Sequence, residues 1–291
     1  MKTCIATVLY TQARGFLDEF LQSIAAQTSH DFDLLIVNDN YDEDELASLV
    51  AKGLTADINV YFYNANNQES YPPLMRMILL EWVKSLGYEF AIFADADDTF
   101  VSTRVENMLC AHRDSDAAFF YNMLSVKTDD GILETVLKVV PDEMQNADAI
   151  MQCNFLGMGN TAVDMTKLSI DYIKSFREAN TIYFDWYIFS RIVIEIGNGK
   201  YVKNADTIYR QHPANALGNQ TDLSKEKQIE LLNKELDAKL FHCNIMKQYS
   251  DSYAVIFDKL KDVVIDENFV PYENSEGYWW NRIRVQWQSY L

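Results

Sequence analysis

Short apolar runs alternate with longer amphipathic stretches through roughly the first third of the chain. Residues 4–10 form an apolar run that predicts a buried strand. Phe16, Leu17, Phe20, Leu21 and Ile24 then recur at helical spacing. A second run at 33–37 ends in Asn38-Asp39-Asn40, and a polar helix is predicted around 44–52. Residues 58–63 predict a third strand, 74–86 a helix, and 90–94 a fourth strand. This alternation predicts an α/β fold, with a mostly parallel sheet flanked by helices and right-handed crossovers.

The pattern is more mixed beyond that point. Residues 117–126 and 132–139 predict two strands around the turn Thr128-Asp129-Asp130-Gly131. Residues 152–159 predict a loop or short strand containing two glycines. Residues 165–177 and 183–196 predict helices, the second stopped by Gly197. A short strand is expected at 201–204, and a Lys- and Glu-rich helical pattern at 223–248. The segment from Tyr278 to Trp287 is aromatic and basic. No internal repeat is visible.

With 291 residues, 48% of them hydrophobic, the chain has material for a sizeable core. A formal net charge of −18 argues against a basic nucleic-acid-binding face. No apolar run reaches the roughly 18 residues of a membrane span. The first residues enter a strand with no signal-peptide pattern. Cys4, Cys110, Cys153 and Cys243 are widely spaced, as expected of reduced thiols in a cytoplasmic protein.

Candidate chemistry centres on Asp95-Ala96-Asp97-Asp98, at the end of the fourth predicted strand. Crowded carboxylates repel one another, and a hard divalent cation such as Mg2+ or Mn2+ relieves that repulsion. The other reading is an acidic turn capping the next helix. Asp39 stands at the neighbouring strand end, where it could accept a hydrogen bond from a nucleotide base or form a local Asx turn. Asp185 lies among Tyr183, Phe184, Trp186 and Tyr187, an apolar setting that suits a general base; the alternative is a helix N-terminal acid. The string Tyr209-Arg210-Gln211-His212, followed by Asn215 and Gly218, combines a cation, an imidazole and an amide in one loop.

Together these segments resemble a family-2-type GT-A inverting glycosyltransferase from about residue 3 to 219. Ala26-Gln27-Thr28, Phe32, the run 34–37, Asp39, Arg76, the Asp-x-Asp-Asp string at 95–98 and Asp185 occur in that family's order. The later string from Tyr209 is similar to bacterial enzymes that add sugars to cell-surface polysaccharides, including rhamnosyltransferase-like members. The chain departs from the usual pattern at Leu9-Tyr10-Thr11-Gln12, at Asn38-Asp39-Asn40-Tyr41, and at Phe184, where the family carries Glu.

The resemblance implies a GT-A domain over 1–219 and a helical, aromatic-rich extension over 220–291. It implies transfer of a single sugar from a nucleoside-diphosphate sugar to an acceptor hydroxyl, with inversion, in surface polysaccharide synthesis. Asp185 would be the base. Tyr10, Thr11, Asp39, Arg76, Asp95 and Arg210 would hold the donor, with UDP or dTDP favoured. Asp97 and His212 would bind Mn2+ or Mg2+. Trp186, Gly157 and Asn160 would face a glycan or lipid-linked glycan acceptor. The C-terminal tryptophans leave three roles open: packing on the catalytic domain, a homodimer contact, or peripheral attachment at the inner face of the membrane. A catalytically silent sugar-nucleotide-binding protein and a nucleotidyltransferase are the competing functions.

Overall fold

The computed structural model describes residues 1–65, 71–127, 133–210 and 224–287. Its frame is an eight-stranded sheet. In chain order the strands are β1 (Thr3–Tyr10), β2 (Asp33–Asp39), β3 (Val60–Asn64), β4 (Phe90–Asp95), β6 (Phe119–Tyr121), β9 (Glu143–Met144), β10 (Thr161–Asp164) and β11 (Gly199–Tyr201). Their spatial order is β3-β2-β1-β4-β10-β6-β11-β9. Strands β3, β2, β1 and β4 are parallel, whereas β10 is antiparallel to both β4 and β6. A smaller sheet joins β5 (Thr99–Phe100), β12 (Thr207–Ile208), β7 (Leu124–Lys127) and β8 (Leu133–Thr135).

Alternation along the strands divides the core into two layers. Ile5, Leu9, Leu34 and Ile36 face α1 (Leu17–Ala25), α2 (Glu43–Gly53) and α4 (Arg104–Arg113). Cys4, Ala6, Leu35 and Val37 belong to the opposite layer, with α3 (Pro72–Ser85) and α6 (Phe184–Glu195). The short α5 (Ile170–Ser175) packs on α3. Helices α7 (Lys225–Met246) and α8 (Asp251–Leu260) share the second layer: Leu232, Cys243 and Tyr253 lie in the same hydrophobic cluster as Phe93 and Phe119.

Several predicted elements are corrected. The expected strand at 117–126 breaks into β6 and β7, in different sheets. The break is at Asn122, which is buried and donates to Met123 O (2.8 Å) and Thr207 Oγ1 (3.0 Å). The expected helix at 165–177 starts only at Ile170, because Asp164 ends β10 and turns the chain by accepting from Thr166 N at 3.0 Å. The strand expected at 201–204 is replaced by β11 and β12, separated by Asn204 at a φ of 56°. The turn at 128–131 lies outside the described residues.

The segment after α8 packs back on the molecule. Gly277 has a φ of +73°, and a Cβ there would meet Val136 O at 2.0 Å. Glu235 of α7 is buried and accepts the backbone N–H groups of Arg282 (2.7 Å) and Ile283 (2.8 Å). The buried Lys239 pairs with Glu235 at 3.4 Å and donates to Ile283 O. Trp279, Trp280 and Trp287 are part-buried against the main core, as the packing role expects. Among the described residues no helix is long and apolar enough to cross a membrane.

Candidate active site

Parallel pairing brings the carboxyl ends of β1, β2 and β4 side by side, the usual ligand position in such sheets. Tyr10 is in register with Asp39, and Val8 with Asp95. Asp39 is buried and accepts from Asn40 Nδ2 at 2.8 Å. Asn40 holds a φ of 71°, a turn conformation that Asn tolerates. Thr11 opens the 3-10 turn Thr11–Phe16 and is exposed beside this strand end.

The acidic turn follows β4. Asp98 N donates to Asp95 O (3.2 Å), folding the turn on itself. The Tyr10 hydroxyl donates to Asp97; burial and the negative charge of Asp97 push that phenol's pKa up. Asp95 keeps 34% of its side chain exposed at the cleft. Even so, burial raises its pKa to about 6; Arg76 opposes the rise, and Asp97 and Asp185 add to it. Asp98 is buried, and burial raises its pKa, with repulsion from Asp95 and Asp97 adding to the shift.

Three arginines brace the cluster. Arg76, on α3, lies 3.5 Å from Asp95 and 2.7 Å from Asp185, so it spans both carboxylates. Arg210 sits beyond β12: its N–H donates to Asp98 (2.9 Å) and its Nε to Asp97 O (2.9 Å). Its guanidinium also pairs with Glu19 and lies 4.6 Å from the Phe16 ring centre. The structure therefore shows Arg210 holding the acidic turn in place. Arg104 is fully buried below, donating to Phe93 O (2.9 Å), Gly159 O (3.0 Å) and Asn122 Oδ1 (3.3 Å). Burial lowers its pKa to about 9, against the pull of Asp98 and Asp95.

Asp185 lies in the first turn of α6, a helix buried on nearly every side. Burial raises its pKa, whereas Arg76 and the Met158 N–H (3.3 Å) favour its charged form. The loop bearing Met158 also touches the acidic turn. A Cβ on Gly159 would stand 2.8 Å from Asp95 Oδ2 and 3.0 Å from Asp98 Oδ2, so only glycine allows this approach.

Of the residues expected at the acceptor, Gly157 and Asn160 are buried in this loop. Asn160 is occupied internally: Oδ1 accepts from Gly157 N (2.8 Å), and Nδ2 donates to Asn122 O (3.1 Å) and Phe155 O (3.0 Å). They set the loop's shape. Trp186 lies in the core behind Asp185, with its indole stacked on His242 at 4.0 Å and donating to Ile150 O. It supports α6 from within and presents no open face. His212 lies outside the described residues, as do Asn215 and Gly218. Arg104, Gly159 and Glu19 were not singled out by the sequence reading; the only signal was a glycine in a loop.

No three His, Cys, Asp or Glu side chains gather as a metal-ligand group among the described residues. A Mg2+-type site needs fewer, because one or two carboxylates suffice when substrate phosphates and water complete the shell. Asp95 and Asp97 supply hard oxygen donors; burial is the main reason the Asp95 pKa is raised, and the nearby charges of Asp97 and Asp185, which a cation would offset, add to it. The donor set fits such an ion.

The profile described as "Glycosyl transferase family 2" matches residues 4–160. No curated protein sequence matches the chain. Among solved structures, S. aureus TarS 1–349 in complex with UDP-GlcNAc is similar at a TM-score of 0.59 and 13% identity, covering 89% of this chain and 72% of that one. The same protein with UDP aligns at a TM-score of 0.59 and 13% identity, over 88% and 70%. GalNAc-T7 with UDP, GalNAc and Mn2+ aligns at a TM-score of 0.54 and 12% identity, over 88% of this chain and 50% of that chain. At these identities the structures attest the shared GT-A fold, and the profile spans more than half of the 291 residues. The chain belongs to glycosyl transferase family 2.

Proposed function

We propose that this protein transfers a single sugar from a UDP- or dTDP-sugar to an acceptor hydroxyl, with inversion, in bacterial surface polysaccharide synthesis. The observation that carries this reading is the meeting of the acidic turn and Asp185 across Arg76 and the Gly159 loop. It unites a place for a diphosphate with a place for a base. The UDP bound in the TarS and GalNAc-T7 structures and the Mn2+ of the latter support the donor and metal classes.

Asp39 accepts the imide N–H of uracil or thymine, with Tyr10 and Thr11 at the adjoining strand end. Asp97 and Asp95 would hold Mn2+ or Mg2+. When bound, that ion supplies Lewis-acid neutralisation of charge on the departing diphosphate. Arg76 keeps the Asp185 carboxylate oriented and adds positive charge near the phosphates. Asp185 takes the proton from the acceptor hydroxyl as it attacks the sugar from the face opposite the leaving group.

The test is release of free nucleoside diphosphate from a panel of nucleotide sugars, with Mn2+ and with chelator. Turnover with Mn2+ that chelator removes supports the reading. Binding of the nucleotide sugar with no release on any donor, acceptors included, would make the protein a silent binder.

A further inference from the structure

The C-terminal segment reaches the same loop that touches Asp185. Trp279 N donates to Asn154 O (2.7 Å) and Asn154 N to Trp279 O (2.9 Å), an isolated antiparallel bridge. The tip of the Trp279 indole lies 3.3 Å from where a Cβ on Gly157 would stand. Met158 then donates to Asp185, and Gly159 packs on Asp95 and Asp98. Three consecutive residues therefore meet an indole, the candidate base and the acidic turn.

Other rings stand around the same place. Tyr209, next to the Arg210 N–H that binds Asp98, has its ring 6.4 Å from that of Trp279. Trp280 packs edge-on against Tyr183 at 5.3 Å, and Tyr183 precedes α6 two residues before Asp185. Trp280 has a φ of 56°, a backbone conformation that bulky residues rarely adopt. Such conformations persist where the surroundings impose them. Here the neighbouring Tyr278 packs on Phe155 at 4.9 Å, and Glu235 fixes Arg282 and Ile283. The tryptophan pair is thus tied to the Gly157 loop and to Tyr183, both of which adjoin Asp185, and Trp279 remains only part-buried.

We propose that Trp279 is an acceptor-binding residue whose indole seats the C–H face of a pyranose. A pyranose carries C–H bonds on its faces and hydroxyls at its rim. The electron-rich face of an indole attracts such C–H groups and leaves the rim free to hydrogen-bond. A ring seated there would bring a rim hydroxyl towards Asp185. The acceptor is then a sugar, alone or at the end of a glycan or lipid carrier, and the C-terminal segment is a part of the active site. This rests on the glycosyl-transfer reading above.

The full chain is labelled with 5-fluorotryptophan, and the Trp279 fluorine resonance is assigned with Trp279→Phe. Methyl pyranosides of glucose, N-acetylglucosamine, galactose and rhamnose are titrated in with UDP and Mn2+ present. The expected result is a saturable shift of the Trp279 resonance by at least one of them. Trp279→Ala should weaken that pyranoside's binding about tenfold, while Trp279→Phe retains most of it and UDP affinity measured by calorimetry stays unchanged in both. No Trp279 shift from any pyranoside, in protein that binds UDP, overturns the subsite alone. Failure to bind UDP or dTDP at all removes the glycosyl-transfer reading and the subsite with it.

Discussion

Arg76 Nη1 lies 2.7 Å from both carboxylate oxygens of Asp185, while its Nη2 lies 3.5 Å from Asp95 Oδ1. One guanidinium therefore couples the candidate base to the acidic turn. Replacing Asp185 by Asn removes the proton acceptor at nearly constant shape. Turnover should fall by about 100-fold or more, with UDP affinity little changed. Steady-state rates and calorimetry check this; lost UDP affinity with turnover retained would make Asp185 a binding residue.

Asp97 accepts from Tyr10 and stands between two further carboxylates. Asp97→Ala should abolish Mn2+-dependent transfer while the circular dichroism spectrum stays that of the parent. A Mn2+ titration of activity identical to the parent's would remove Asp97 from the metal.

A methyl group on Gly159 meets Asp95 and Asp98 at 2.8 and 3.0 Å, too close to be tolerated without movement. Gly159→Ala should displace the acidic turn and weaken UDP–Mn2+ binding at least about tenfold, or 1.4 kcal/mol. Calorimetry reads this directly. Unchanged affinity would show that the turn yields freely.

Glu235→Ala leaves Lys239 buried without its carboxylate and frees the N–H groups of Arg282 and Ile283. Removing one partner of a buried pair costs on the order of 3–5 kcal/mol. Urea denaturation should show that loss. A change below about 1 kcal/mol would mean the segment is held chiefly by its aromatic packing.

His242 is buried against Trp186, and burial lowers its pKa from 6.5 to about 3. The folded state keeps it neutral, whereas the unfolded chain takes up the proton below 6.5. Its contribution is therefore complete above pH 6.5 and falls as pH drops towards about 3. Relative to the parent, His242→Gln should lose less stability over that interval in urea midpoints. Parallel profiles for the two proteins would contradict the assignment.

Much of this was readable from the chain because the informative strands are long. β1, β2 and β4 are apolar runs that each deliver a distinctive residue at the carboxyl end, and α6 carries its pattern for three turns with Asp185 in the first. What escaped was decided by tertiary context. β10 has four residues, too few for a periodic signal, yet it is the antiparallel neighbour of β4. Nothing local in the sequence marks Arg104 as buried, but the fold places it in the core under Asp98. Trp186 and Trp279 are both tryptophans near charged residues; only packing shows that the first faces the core and the second meets the Gly157 loop.

Beside the site the sheet has a seam where the parallel β4 meets the antiparallel β10. The groups proposed to hold the nucleotide, from Tyr10 to Asp98, precede this seam in the chain, and the Gly157 loop, Asp185 and Trp279 follow it. At the site three arginines cross it: Arg76 reaches Asp185, Arg104 reaches the Gly159 carbonyl, and Arg210 reaches back to the Asp97 carbonyl and Glu19. On the proposed function, a change of acceptor sugar would fall on the later flank and a change of nucleotide on the earlier one, and Arg76, Arg104, Gly159 and Arg210 are where change on one side would demand an answer from the other.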